Sequence, residues 1–74
     1  MKLNDLKINQ EGVIKSVKAN DNIKKRLLDI GLVKGVKIKP VLISPGGDMV
    51  AYYIKGALVA IRKIDTKDIV VDSI

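Results

Sequence analysis

The sequence contains no cysteine and no histidine. The absence of cysteine excludes a disulfide framework and any thiolate metal site. Without histidine, the chain also lacks the commonest transition-metal ligand and the usual base that activates a serine or threonine nucleophile. No pattern buries a lysine that could take over that role, and no GxxxxGK phosphate loop is present. We therefore expect a protein without enzymatic activity and without a resident metal or cofactor.

Aromatic side chains are scarce: the chain has two tyrosines, Tyr52 and Tyr53, and no phenylalanine or tryptophan. Adjacent strand residues point to opposite faces, so this pair cannot form one stacking platform for single-stranded nucleic acid. It also cannot line the aromatic groove that proline-rich peptides require. A nucleic-acid-binding barrel is still the alternative function, because the net charge of +6 would attract phosphates.

Long apolar segments are missing. The longest apolar run, Met49–Ile54, is six residues, far short of the roughly 20 residues that span a bilayer. The opening LNDLKINQ lacks the apolar region of a secretory signal. We expect a cytoplasmic protein that contacts a membrane only through a partner, peripherally at the inner face of the plasma membrane.

The length predicts a single domain, residues 1–74, without internal repeats. A domain of this size buries only about 60% of the surface of its unfolded chain, so no deep catalytic cavity is expected. The 14 Lys and Arg residues outnumber the 8 Asp and Glu residues, which favours anionic partners. Function is therefore expected at the surface.

The segment 20–35, NDNIKKRLLDIGLVKG, predicts a short amphipathic helix that ends at a glycine. Asn20 or Asp21 can cap the first free backbone N–H groups. The apolar stripe is formed by Ile23, Leu27 and Ile30 and is widened by Leu28. Gly31 is placed to adopt the left-handed conformation that ends a helix, which would turn Leu32 back onto the last helical turn.

Asp29 is unfavourably placed in this helix. The interaction of an anion in the last turn with the helix macrodipole destabilises the helix by roughly 0.3 to 1 kcal/mol. Arg26, three residues earlier, is the expected ion-pair partner. Two interpretations stay open at this point. The pair is either a solvated surface pair, or one of its members docks another chain.

Five short strands follow from the remaining pattern. They cover Gly12–Lys18, Val36–Ser44, Met49–Ile54, Ala57–Arg62 and Ile69–Val71. The apolar residues of the first strand depart from strict alternation, and a bulge would reconcile them. Pro40 confines the second strand to an edge or a bend, because proline donates no ladder hydrogen bond.

Three turns connect the later elements. Ser44–Asp48, SPGGD, is a loop by composition, and Thr66–Asp68 is predicted as a single tight turn. Lys55 and Gly56 predict a two-residue hairpin turn in which glycine takes the positive φ. The resulting strand pairs are Ile54 with Ala57, Tyr52 with Val59 and Val50 with Ile61.

These elements predict a mainly β fold: a small five-stranded SH3-like barrel with one short α-helix between the first and second strands. Short antiparallel strands in so small a chain leave exposed edges unless the sheet curls and closes. An OB-like barrel is the alternative architecture, although its helix usually falls later in the strand order.

Both strands of the predicted hairpin, MVAYYI and ALVAI, are apolar on both faces. One face fills the core, and the other needs cover. The cover is either the helix or the N-terminal turn, or else a partner protein or a second copy, which would make a homo-oligomer. We predict a docking surface that combines Arg26, Lys34 and Lys37 around the helix end with the hairpin near Tyr52 and Val59.

Four segments together resemble a known family: RLLDIGLVKG (26–35), PGGD (45–48), KGALVAIR (55–62) and DIVV (68–71). In this order and spacing they resemble the FeoA family, the ferrous iron transport protein A group of small bacterial SH3-like domains, from Gly12 to Val71. The matching positions are Arg26, Leu27, Gly31, Leu32 and Gly35 at the helix end, Pro45, Gly47 and Asp48 in the loop, and Gly56, Ala60, Ile61 and Arg62 in the hairpin. Met49 and Ala57 depart from the family, which often has proline and an aromatic residue there.

The resemblance implies an accessory role. FeoA-type proteins are cytosolic partners of a membrane ferrous iron transporter with its own GTPase domain, the FeoB type, and the same fold occurs as the C-terminal domain of iron-dependent repressors. Ferrous iron is usually held by imidazole, thiolate or convergent carboxylates, which this sequence does not offer. Asp48 is the one loop carboxylate that could touch a divalent ion, but such an aspartate more often caps its own turn.

Overall fold

The computed structural model describes all residues from Met1 to Ile74. A 3₁₀ turn at Leu3–Asp5 is followed by β1 (Gly12–Val17), α1 (Asp21–Asp29), β2 (Lys37–Ile43), β3 (Met49–Ile54), β4 (Ala57–Arg62), α2 (Lys63–Thr66) and β5 (Ile69–Ser73). The five strands form one antiparallel sheet in the order β4-β3-β2-β1-β5. This confirms a mainly β chain with five strands and a helix between the first two.

Both ends of α1 are formed as the sequence predicts. Asn20 caps the helix, since its Oδ1 accepts a hydrogen bond of 3.0 Å from the Ile23 N–H. At the other end Gly31 has φ +95°, and its N–H donates to the Leu28 carbonyl at 3.0 Å. The Leu32 N–H donates to the Leu27 carbonyl at 3.0 Å. These two bonds are the Schellman motif, which satisfies carbonyls that the helix leaves free.

The predicted ion pair between Arg26 and Asp29 is wrong. The only salt bridge in the structure joins Arg62 Nε and Asp65 Oδ2 at 3.0 Å. Both Arg26 and Asp29 are exposed. An i, i+3 pair in solvent gains little to offset the loss of side-chain freedom, so the two side chains stay unpaired.

The register of the β3–β4 hairpin is confirmed. Ile54 pairs with Ala57, Tyr52 with Val59 and Val50 with Ile61. Lys55 and Gly56 form the turn with φ of 49° and 80°, the left-handed values that a two-residue turn of this kind requires. The predicted bulge in β1 is also present, because the pairing with β5 shifts register between Ile14 and Ser16.

Pro40 does not lie on an edge strand, since β2 is the central strand of the sheet. The other option, a bend, is confirmed by the register shift between Pro40 and Leu42. A strand residue directs its N–H and C=O to one side, and the Pro40 carbonyl accepts from the Asn9 N–H at 2.7 Å. The missing donor therefore faces the side where the pairing with β1, which ends at Ile38, has already stopped.

The sheet curls around one core but does not close through hydrogen bonds, because β4 and β5 form no ladder with each other. The buried hydrophobic cluster is made of Leu3, Leu6, Ile14, Leu27, Leu32, Ile38, Val50, Tyr52, Ile54, Ile61, Ile69 and Val71. The helix α1 contributes Leu27 to this cluster, and Ile23 and Ile30 pack against its margin. Each strand contributes at least one residue to the core, so the whole chain shares one hydrophobic interior.

The tight turn predicted at Thr66–Asp68 is present at Lys67 and Asp68, directly after the short helix α2, which the sequence did not predict. The first N–H of α2, on Lys63, donates to the Asp48 carbonyl at 2.9 Å, which ties the helix to the loop before β3. The hydroxyl of Thr66 is fully buried, 2.9 Å from Asn4 Oδ1 and 3.2 Å from the Lys63 carbonyl. A buried hydroxyl needs such partners, and this long-range contact stabilises a helical turn that local sequence does not specify.

Replacing Gly31 by Ala should lower the free energy of unfolding by about 1 to 2 kcal/mol, because a Cβ is disfavoured at φ +95°. The added carbon meets only Ile54 Cγ2, at 3.9 Å, so the cost comes from the backbone and not from a clash. Gly46→Ala is the matched control, since Gly46 lacks a positive φ and its change should stay within about 0.5 kcal/mol. Equal effects in urea unfolding would contradict this account of the helix end.

Tyr52 carries a phenol in the core, and its burial links the stability of the fold to alkaline pH. Burial raises the pKa of its phenol, and the Thr66 hydroxyl offsets part of that rise. The folded chain therefore holds the phenol proton more tightly than the unfolded chain does. The stability that this provides is complete below the unfolded pKa of about 10 and is lost as pH rises through the higher folded pKa.

Unfolding in urea across alkaline pH should show this loss in the wild type and in Tyr53→Phe. It should be smaller in Tyr52→Phe, which has no buried phenol to ionise. The comparison uses the pH dependence of the difference between variants, because lysine titration affects all three chains alike. An unchanged alkaline slope in Tyr52→Phe would show that this phenol does not limit stability.

Candidate partner-binding site

Of the five predicted docking residues, the structure brings Arg26 and Val59 together. Both line a surface groove between α1 and β4. Tyr52 is not accessible to a partner, because its side chain is 1% exposed in the core. Tyr52 was predicted for this surface, but the accessible tyrosine is its neighbour Tyr53, which lies on the opposite face of β3 and is 47% exposed.

Lys34 and Lys37 lie elsewhere on the surface. Both are exposed, Lys34 in the connection from α1 to β2 and Lys37 at the start of β2. Lys37 lines a shallow basic depression that also contains Lys39, Tyr53 and Lys55. The Lys39 ammonium is 6.0 Å from the Tyr53 ring centroid, at the outer limit of a cation–π contact. The predicted surface therefore divides into an apolar groove and a separate basic corner, which is formed by Lys37, Lys39 and Lys55.

The groove has apolar walls. Ile23, Leu27 and Ile30 come from α1, and Met49, Val59, Ala60 and Ile61 come from the hairpin. Its volume is about 270 Å³, below the range of about 300 to 1,000 Å³ typical of small-molecule sites. It is open along its length and is suited to the side chains of another polypeptide. The stripe that the sequence indicated on α1 supplies one wall, so the helix only partly covers the hairpin.

Charged residues of the groove are mostly basic. Arg26 and Arg62 stand on its rim, and Asp65 is the one acidic residue that lines it. The Asp65 side chain is 8% exposed and accepts a 3.0 Å hydrogen bond from Arg62 Nε, while the Arg62 side chain is 56% exposed. Asp65 therefore orients Arg62 and leaves the other guanidinium nitrogens in solvent. Sequence reasoning missed this pair, although the spacing of Arg62 and Asp65 at the start of a turn was a usable signal.

Asp48 is engaged inside its own loop. Its Oδ1 accepts a hydrogen bond of 3.0 Å from the Ser44 hydroxyl, whose oxygen accepts from the Met49 N–H at 3.1 Å. The Gly47 N–H donates to the Ser44 carbonyl at 2.8 Å, with φ of +77° at Gly47. This network closes the loop between β2 and β3, with Ser44 as the side chain that accepts from a backbone N–H and Asp48 as the partner that orients Ser44.

Three further motif positions, Gly35, Leu27 and Leu32, lie at the connection from α1 to β2 or in the core beneath it. Gly35 has φ of +90° and donates its N–H to the Ile14 carbonyl at 2.8 Å, which guides the chain from α1 into β2. Leu27 and Leu32 are buried beneath that connection, whereas Pro45 is exposed at the tip of its loop. No three acidic, histidine or cysteine residues lie close enough together to hold a metal ion. No helix combines the length and the apolar character needed to cross a bilayer.

Comparison with known proteins agrees with the motifs. The FeoA domain model matches residues 1–73. The chain is similar to the FeoA protein from Chlorobium tepidum, with 34% identity and a TM-score of 0.92 over 100% of this chain and 70% of that one. It is also similar to a FeoA-like protein from Clostridium acetobutylicum, with 26% identity and a TM-score of 0.89 over 100% and 86% of the two chains. No curated protein matches the sequence.

A further relative carries a functional description. The chain is 34% identical to Stenotrophomonas maltophilia FeoA complexed with zinc, with a TM-score of 0.82 over 97% of this chain and 89% of that one. That relative is described as a prokaryotic SH3 domain protein proposed as a bacterial ferrous iron transport activating factor. A manganese-dependent transcriptional repressor, 17% identical with a TM-score of 0.90, shares the fold alone, over 100% of this chain and 36% of the repressor.

The likeness to the zinc-bound relative confirms that the fold is SH3-like, with the qualification that the sheet here stays open between β4 and β5. Since the family model spans nearly every residue and two of these relatives are 34% identical, this chain belongs to the FeoA family.

Proposed function

We propose that this chain is a non-enzymatic, cytoplasmic accessory protein of bacterial ferrous iron uptake, which docks on the cytoplasmic part of a FeoB-type transporter and modulates it. The observation that carries the proposal is the family match over residues 1–73. The description of the Stenotrophomonas maltophilia relative as a proposed transport activating factor supports it. In this scheme iron is the cargo of the transporter and is not held by the chain.

The groove supplies the docking contact. Its apolar walls exclude water when covered, and Arg26 on the rim favours an acidic partner surface. Lys34 and Lys37 add positive charge on the side of α1 and β2 and would steer the approach of an anionic surface. Tyr53, rather than the buried Tyr52, contributes the accessible aromatic ring.

A docked module without catalytic groups changes its partner through binding energy alone. It shifts the conformational equilibrium of the transporter only if it binds one conformation more tightly than another. The single shared core makes the chain a rigid body, so its groove and basic corner keep a fixed spacing that one partner conformation can match. The proposed modulation is therefore the selection of a transporter state.

Mixing the chain with the transporter's soluble GTPase region, and separately with the full membrane protein, should give a complex at concentrations on the order of tens of micromolar. Calorimetry and co-elution measure it, and a soluble GTPase from an unrelated protein serves as the control. Absence of a complex with both preparations would contradict the proposed function.

Nucleic acid binding is the rival class, and the structure gives it little support beyond charge. Only one aromatic side chain, Tyr53, is exposed, so stacking of successive bases has no platform. We expect any gel shift seen at low salt to disappear at moderate salt, because only Lys and Arg contacts to phosphate would hold the complex. A sequence-selective shift that survives moderate salt would favour the rival.

A further inference from the structure

The two edges of the sheet are treated differently by the rest of the chain. The outer edge of β5 is paired with the N-terminal residues. The Val71 N–H donates to the Met1 carbonyl at 2.8 Å, the Met1 amino group donates to the Val71 carbonyl at 3.0 Å, and Lys2 forms a bridge with Val70. These contacts close that edge against other strands.

The outer edge of β4 has no such cover. In a two-residue hairpin the residues that flank the turn exchange both hydrogen bonds, so Ala57, Val59 and Ile61 bond to β3. Leu58 and Ala60 then direct their N–H and C=O groups away from the sheet. Neither backbone takes part in any hydrogen bond outside the strand ladders. Both residues are exposed, so this edge of the sheet lies at the protein surface.

The groove beside α1 runs along this same edge. Val59 and Ile61 belong to the inward face of β4, whereas Ala60 and Arg62 belong to the outward face, and all four line the groove. Residues of both faces can border one depression only where it follows the edge of the strand. The opposite wall is formed by α1 through Ile23 and Ile30.

The strand β4 has few of the features that protect free edges, and its one charged residue, Arg62, is the last of the strand. Its sequence, ALVAIR, has no proline, no lysine and no bulge, and it pairs with β3 in unbroken register. The Leu58 side chain is 58% exposed. A regular apolar edge of this kind accepts another strand unless something covers it.

We propose that the edge of β4 accepts an extended segment of the docking partner, which pairs with Leu58 and Ala60 as a sixth strand and alternates apolar with acidic residues. The apolar side chains enter the groove against α1, and the acidic ones lie near Arg26 and Arg62. The inference deepens the proposed function and rests on it, since it assigns how the transporter's cytoplasmic part is held.

Charge decides between a partner segment and a second copy of this chain. The net charge is +6, and the groove rim carries two arginines, of which only Arg62 has an acidic neighbour. Two copies joined through β4 would bring these like-charged rims together, which disfavours self-association. An acidic segment instead gains attraction at the same positions.

Amide hydrogen exchange on the full chain tests the proposal directly. In the free chain the Leu58 and Ala60 amides should exchange fast, and the Val59 and Ile61 amides slowly. Addition of the transporter's soluble cytoplasmic region should slow exchange at Leu58 and Ala60 by at least about tenfold, because these groups become hydrogen-bonded.

A charge reversal gives a second readout with a matched control. Arg26→Glu should weaken the binding of that cytoplasmic region about tenfold or more, whereas Lys25→Glu, on the same helix but outside the groove, should change it less than about threefold. Both positions are exposed, so neither change should unfold the chain.

The outcomes distinguish failure of the edge-pairing inference from failure of the proposed function. Binding with no slowing of exchange at Leu58 and Ala60, or with equal effects of the two charge reversals, overturns the edge-pairing inference and leaves docking intact. Absence of binding by the wild-type chain overturns the proposed function, and the inference with it. Protection of the same amides by the chain alone at rising concentration would assign the edge to a second copy and also overturn the inference.

Discussion

The left-handed end of α1 is the constraint on which the rest of the structure depends. The turn at Gly31 sends Leu32 into the core next to Leu27, so the helix is held to the sheet at its C-terminal end. A Cβ built on Gly31 would lie 3.9 Å from Ile54, which shows how near this turn is to the hairpin end of β3. The position of α1 along β4, and hence the groove between them, follows from this one connection.

Local signals in the sequence predicted most of the fold. The cap at Asn20, the glycine at position 31 and the Lys55–Gly56 turn each specify their geometry within a few residues, and all three are present. Features set by distant contacts were not predictable. The helix α2 depends on Asn4 and on the loop carbonyl of Asp48, and the central place of β2 depends on β1 leaving it before Pro40.

The same division holds for the candidate site. Arg26, near the end of the helix, and Val59, on the apolar hairpin, were predicted to share one docking surface. Both line the groove. Tyr52 was misplaced because a strand that is apolar on both sides does not reveal which side is buried. The free edge of β4 could not be predicted from the sequence. It follows from the strand order and from the pairing of the N-terminus with β5, the other edge strand.

The proposed function assigns this chain to ferrous iron transport, so a change in its docking groove should appear in that transport. The most direct measurement is ferrous iron uptake in cells that lack the chain and are complemented with it or with groove variants. We expect the wild type and Lys25→Glu to restore uptake, whereas Arg26→Glu, at equal protein abundance, should leave it near the level of the deletion. Full uptake with Arg26→Glu would contradict the claim that the groove beside β4 is where this protein is held by its partner.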